Sequence, residues 1–295
     1  MQLAGHDRYD YSAIRHRPVY DWPGGGRLAV YLAINVEHFA FGEGLGAELG
    51  PPSPQPDVLN YAWRDYGNRV GVWRLLDLLD ELSLPSSCLI NTAIYDYCPE
   101  VVAAFRERGD EIVGHGRSNA ERQGTLPESD EAALIREATE SIRRHEGKPP
   151  TGWLGPWISQ SRLTPDLLHE AGYGYMLDWC MDDQPIWCRT RGGRILAVPY
   201  PQELNDIPAI VARKVEGDTF AEMITAQFDE MLRQAERGPL VMGIALHPYI
   251  VGQPFRLHWL RKALEHILAH RERLWLTRSG EIAEYCAGLP AGTVP

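Results

Sequence analysis

Two kinds of hydrophobic pattern alternate along this chain. Short apolar runs bounded by turn residues read as strands at 28–35, 87–91, 111–114, 173–177, 195–199, 240–246 and 274–276. Between them lie segments with apolar residues at helical spacing. Over 69–82, Val72, Leu75, Leu76, Leu79 and Leu82 share one helix face. Further helices are predicted over 99–108, 128–145, 164–172, 219–236, 257–269 and 281–286. Their ends carry ordinary signals: Pro99 in a first turn, Thr164-Pro165 at a start, and Gly109, Gly147, Gly172 and Gly238 at stops. Strands that alternate with helices predict an α/β protein with a parallel sheet, open or closed as a barrel. The segment 39–66, with Gly42-Glu43-Gly44 and Pro51-Pro52-Ser53-Pro54, reads as a long functional loop. With no internal repeat or linker, the expected organisation is an N-terminal arm over 1–26 and a single domain over 27–295.

Three predicted strands end in groups that do chemistry. The run 28–35 leads to Glu37 and His38, the run 111–114 to His115, and the run 240–246 to His247. Parallel α/β enzymes gather their reactive groups at the carboxyl ends of strands, so these three tips predict one site at one mouth. His258, His266 and His270 fall on and just past the helix at 257–269 and read as solvent-facing.

The chain has 295 residues, 44% of them apolar, enough for a full core. A formal charge of −11 with no basic stripe argues against a nucleic-acid partner. No apolar run has transmembrane length, and the polar, aromatic first twenty residues lack a signal-peptide core, so a cytoplasmic protein without a membrane partner is expected. Five cysteines without metal-ligand spacing are expected to be reduced thiols.

Several segments together resemble the polysaccharide deacetylase superfamily, and within it the allantoinase-type and peptidoglycan-deacetylase-like branch. They are Trp22-Pro23-Gly24-Gly25-Gly26, Asn35-Val36-Glu37, Tyr66-Gly67-Asn68-Arg69-Val70-Gly71, Gly114-His115-Gly116, Gly155-Pro156-Trp157, Asp182-Asp183-Gln184-Pro185 and Leu246-His247-Pro248. The resemblance implies a distorted (β/α) barrel of about seven strands and hydrolysis of non-peptide C–N bonds. It also implies assembly as a homo-oligomer, with the aromatic arm as a candidate contact. The superfamily's first motif ends in two aspartates, a base and a metal ligand; Val36 and Glu37 stand there. Its second motif has two histidines four apart; His115 and Asn119 stand there. Zinc prefers three or four good ligands, and Glu37 with His115 supplies two. The expectation is therefore that no cofactor is required, with a single zinc held by Glu37 and His115 as the alternative.

Amide hydrolysis needs an activated water, a donor for the oxyanion and an acid for the leaving nitrogen. Glu37, at an apolar strand tip, is expected to have a raised pKa and to serve as base. His115 and His247 are expected to polarise the carbonyl or protonate the leaving group. Asn35, Asn119, Trp157 and Asp183 are the candidate substrate contacts. The leading reading is a hydrolase of a small cyclic or acylated amide. A metal-dependent deacetylase of N-acetylated sugars and an inactive ligand-binding barrel are the alternatives.

Overall fold

The computed structural model describes residues 5–295; the first four residues of the predicted arm lie outside it. Among the described residues, nine strands form one sheet. They are β1 (Leu28–Val36), β2 (Ser87–Ile90), β3 (Glu111–Gly114), β4 (Gly152–Trp153), β5 (Tyr175–Met176), β6 (Ile186–Thr190), β7 (Gly193–Ala197), β8 (Leu240–Leu246) and β9 (Leu274–Thr277). The order is β6-β7-β5-β4-β3-β2-β1-β8, every neighbour parallel except the β6–β7 hairpin. One edge of β1 is shared: Leu28–Tyr31 pairs with β9, and Ala33–Val36 pairs with β2. Across the gap, the chain after β7 reaches β8 by one bridge, Asn205 to Ala245. This is the distorted barrel of the sequence expectation, stitched at its seam rather than closed by a strand pair.

The period of two along β1 builds two cores at once. Leu28, Val30, Leu32, Ile34 and Val36 point outward and pack beneath the helices. Ala29, Tyr31 and Ala33 point inward among Leu89, Val113, Leu177, Val198, Val241 and Ala245. Both faces of β1 and β8 are buried, which explains their unbroken apolar runs. Gly243 on β8 leaves room for the Tyr31 ring: a Cβ there would lie 2.9 Å from it.

Some boundaries differ from expectation. The predicted loop over 39–66 contains the helix Val58–Tyr66, capped by the Asp57 side chain and continued by a π-turn, Gly67–Gly71, into Val72–Leu82. Its buried residues include Asn60 and Arg64, so it shows no apolar stripe. Strands β4 and β6 went unpredicted; β4 is two residues long, and β6 alternates around a tight hairpin. The N-terminal arm packs on its own chain: Arg8 pairs with Asp166, Arg17 with Asp182, and the Trp22 indole donates to the Leu240 carbonyl. All five cysteines are free. Among the described residues, no helix is long and apolar enough to cross a membrane.

Candidate active site

The inward alternation continues past the strand ends, and that places the site. After Ala29, Tyr31 and Ala33 come Asn35 and Glu37; after Val113 comes His115; after Val241, Gly243 and Ala245 comes His247. All three reactive groups arrive at the carboxyl mouth and are buried. Glu37 Oε1 lies 3.4 Å from His115 Nε2 and 3.6 Å from His247 Nε2, and it accepts a bond from Asn119 Nδ2 at 2.7 Å. The Tyr249 hydroxyl donates to Glu37 Oε2 at 3.3 Å. Asn68, on the π-turn, donates to the Glu37 main-chain carbonyl at 2.8 Å.

Each histidine is oriented from behind. His115 Nδ1 sits 2.7 Å from the Leu154 carbonyl, which can only accept, so Nδ1 carries a proton. His247 Nδ1 lies 2.6 Å from Asp206 Oδ1, while its main-chain N–H donates to Oδ2 at 2.8 Å. Asn91 ties the first two tips together: its amide donates to the His115 carbonyl, and its oxygen accepts from His38 N at 2.8 Å.

The electrostatics follow from this packing. Burial pushes the Glu37 carboxyl up, but the charge of His247 and the two imidazoles beside it outweigh this and bring it down to about 2. Burial pushes His247 down, but Asp206 and Glu37 flank it and raise it to about 10. Asp206 is itself raised, by burial first. Two carboxylates face the His247 ring and favour its cation. The expected raised pKa at Glu37 is therefore corrected: an ionised carboxylate sits beside an imidazolium, and a group near 2 is a weak base.

The other predicted contacts divide. Asn119 is in the cluster, and its main-chain carbonyl is held by the Trp157 indole at 2.8 Å. Trp157 has φ 62, a left-handed conformation rare for a bulky residue and common at functional sites. Asn35 is buried just below, with its amide engaged to the Tyr200 hydroxyl at 3.1 Å and the Leu246 carbonyl at 3.4 Å. Asp183 is not at the mouth. Its carbonyl accepts from Val241 N at the start of β8, the opposite end from His247. The stretch after β5 leads to the start of β8, where Gln184 Nε2 also donates to the Pro239 carbonyl at 2.7 Å, a tertiary contact that the sequence did not reveal. Val36, read as the missing base, points into the outer core and is fully buried there. Asp206, Tyr249, Asn91 and Asn68 were not singled out in the sequence. Asp206 just before Ile207-Pro208, at a helix entry, was the one available signal.

The donor set does not suit a tightly held metal. Asn119 turns its N–H toward Glu37 and leaves Oδ1 buried without a partner. Reversing the amide would set oxygen against oxygen. His38 faces Tyr97 instead of the two histidines. Among the described residues, the His, Cys, Asp and Glu ligand atoms that come within 4.8 Å of one another as a group of three belong to Asp229, His266 and His270, and not to this cluster. A small cavity of about 10 Å³ lies on the His38 side of Glu37, among Phe39, Tyr61, Arg64 and Tyr97, and touches neither His115 nor His247. A larger cavity of about 920 Å³ opens at the other end of the strands, near Glu111, Tyr175 and Trp187, and touches none of the cluster.

The profile of the polysaccharide deacetylase family matches residues 61–176. A Helicobacter pylori peptidoglycan deacetylase is 24% identical over 288 residues, covering 86% of this chain and 95% of the relative. The crystal structure of a probable polysaccharide deacetylase from Pseudomonas aeruginosa PAO1 superposes with TM-score 0.81 at 26% identity, covering 90% and 92% of the two chains. Fold, mouth and matched segment together make the class: the chain is similar to the polysaccharide deacetylase superfamily, hydrolases of amide C–N bonds. Within the class the full-length likeness runs two ways, because the structure of PuuE allantoinase superposes with TM-score 0.82 at 27% identity, covering 96% of this chain and 99% of that one.

Proposed function

We propose that the chain hydrolyses the C–N bond of a small cyclic or acylated amide without a metal at the Glu37 cluster. The observation that carries this reading is the placement of the His247 ring between the Asp206 and Glu37 carboxylates, with His115 on the same Glu37 oxygen. A water attacks the substrate carbonyl carbon. His115, with its Nδ1–H committed to Leu154, takes the water proton at Nε2. His247 Nε2–H protonates the leaving nitrogen as the C–N bond breaks. Glu37 holds both rings and stabilises the positive charge as it shifts between them. The likeness to PuuE allantoinase supports a cyclic amide as substrate.

A second reading, a metal-dependent deacetylase of N-acetylated sugars, draws on the peptidoglycan deacetylase relative. Turnover of a panel of cyclic ureides, imides and N-acetylglucosamine oligomers, with and without zinc, separates the two. Ring opening of a ureide or imide without metal, lost by a factor of about 10² or more in His247→Ala, is the expected result. Acetate release that requires zinc would favour the second reading. Ligand-induced thermal stabilisation without any turnover would leave a binding barrel. The proposal includes a cytoplasmic setting, a small-molecule substrate with neither nucleic acid nor membrane as partner, and a homo-oligomer, which light scattering tests.

A further inference from the structure

A second cluster of ligating side chains lies far from the mouth. His266 sits in the last turn of the helix Pro254–Leu268, and His270 follows four positions later, just past the helix end. Asp229 faces them from the neighbouring helix Gly217–Gln234. The three ligand atoms lie within 4.8 Å of one another, and Asp229 Oδ1 is 2.7 Å from His266 Nε2. Phe228 packs against both rings, with centroids 5.8 and 5.6 Å away, so the imidazoles are held partly ordered before any ligand arrives. The carboxylate is exposed and the rings are half-buried, leaving open positions for water. The cluster belongs to the opposite end of the barrel: β9 begins at Leu274, paired with Leu28 at the start of β1.

We propose that Asp229, His266 and His270 form a site for a zinc-class divalent transition ion that clips the two helices together. Two imidazole nitrogens and one carboxylate oxygen select zinc, cobalt, nickel or copper over magnesium and calcium, which prefer oxygen shells. Ligand atoms within 4.8 Å of one another can close, by side-chain adjustment, on one ion with bonds of about 2.0–2.2 Å. The His266 and His270 rings stand with centroids 5.7 Å apart, near enough to share one ion. The ion would also sit at a helix carboxyl end, where the unpaired carbonyls favour a cation. This site has no part in the proposed hydrolysis. Its charge-compensating partner is Asp229, and the ion replaces the hydrogen bond that now joins Asp229 to His266.

The test uses the full chain, stripped with chelator and titrated with zinc chloride against a chromophoric zinc indicator. The wild type is expected to bind one equivalent with micromolar or tighter affinity. His266→Gln and His270→Gln are each expected to weaken it at least tenfold, and Asp229→Asn by a smaller factor. Zinc is expected to raise the melting temperature of the wild type by a few degrees and that of the His266→Gln/His270→Gln double variant by none. These positions are at the surface, and the metal-free melting temperatures of the variants show that they fold. Absence of zinc binding up to 100-fold excess in the wild type would overturn the proposal. Binding that persists undiminished in the double variant would overturn it as well, by placing the ion elsewhere.

Discussion

Replacing Asp206 by asparagine isolates what the second carboxylate does for His247. Asp206 accepts both the His247 main-chain N–H and its Nδ1–H, at 2.8 and 2.6 Å. An asparagine has one oxygen for these two donors. If the main-chain N–H keeps that oxygen, the amide N–H faces Nδ1 and forces the neutral tautomer with its proton on Nε2. His247 stands near 10 against an ordinary 6.5, and three to four units correspond to about 5 kcal/mol favouring the cation. Burial pushes the ring down, and the Asp206 charge does most to push it up. In Asp206→Asn the ring is expected to fall to its ordinary value or lower. At pH 8.5 the protonated fraction would then drop from nearly all to about 1%, while at pH 6 most of it would remain. The assay is kcat/KM against pH, read together with the imidazole ¹⁵N shifts of His247. The expected result is a loss of about 100-fold at pH 8.5 that shrinks toward pH 6, as the alkaline limb moves down from about 10. A folded variant whose alkaline limb stays in place would refute the claim that Asp206 holds the proton on His247.

The remaining predictions are simpler. Glu37 has its folded-state pKa lowered, to about 2 from 4.5. Its contribution, about 3 kcal/mol, is thus fully present above pH 4.5 and lost as pH falls through about 2. Chemical denaturation of the wild type should weaken across that window, and Glu37→Gln should show a flatter profile; parallel profiles would contradict the ion-pair account. Gly243→Ala puts a methyl 2.8 Å from Pro201 and 2.9 Å from the Tyr31 ring, and an overpacked barrel interior should cost about 1–3 kcal/mol, read from the denaturation midpoint. Prolonged chelation should leave turnover unchanged. Loss of turnover that zinc restores would return the site to metal-assisted deacetylation.

Strand tips were the legible part of the site because alternation survives past the strand ends. Glu37, His115 and His247 each lie an even number of residues beyond an inward-facing core residue, Ala33, Val113 and Ala245. The pieces that orient them were hidden for a different reason. Asp206 comes from an irregular stretch after β7, where no period announces a direction, and Leu154 contributes only a carbonyl. The helix Val58–Tyr66 buries polar residues against the covering segment, with Arg64 donating to the Ala47 carbonyl and Asn60 to the Gly50 carbonyl, so its pattern reads as loop. Asp183 looked like a strand-tip acid because chain direction is not visible locally. The segment after β5 is held against the start of β8 by main-chain contact, not by anything in its composition.

The two departures from the superfamily's motifs have a common electrostatic logic. A metal site needs carboxylate and imidazole groups gathered around an external cation. Here the cation is internal: the His247 imidazolium, flanked by Glu37 and Asp206. A second imidazole at position 119 would compete for the same carboxylate oxygen, whereas the neutral amide of Asn119 donates to it and adds no charge. Asn119→His is therefore the substitution that should restore metal affinity. It supplies a nitrogen ligand four residues from His115 and next to Glu37, three donors where there were two. In a background already lacking His266 and His270, zinc affinity is expected to rise at least tenfold over the same background with Asn119. The His247-dependent alkaline limb should move down as the new metal draws Glu37 away from the imidazolium. If affinity rises and the limb stays still, Glu37 is not what holds the His247 charge. If neither changes in a folded protein, Asn119 is not what keeps a metal out.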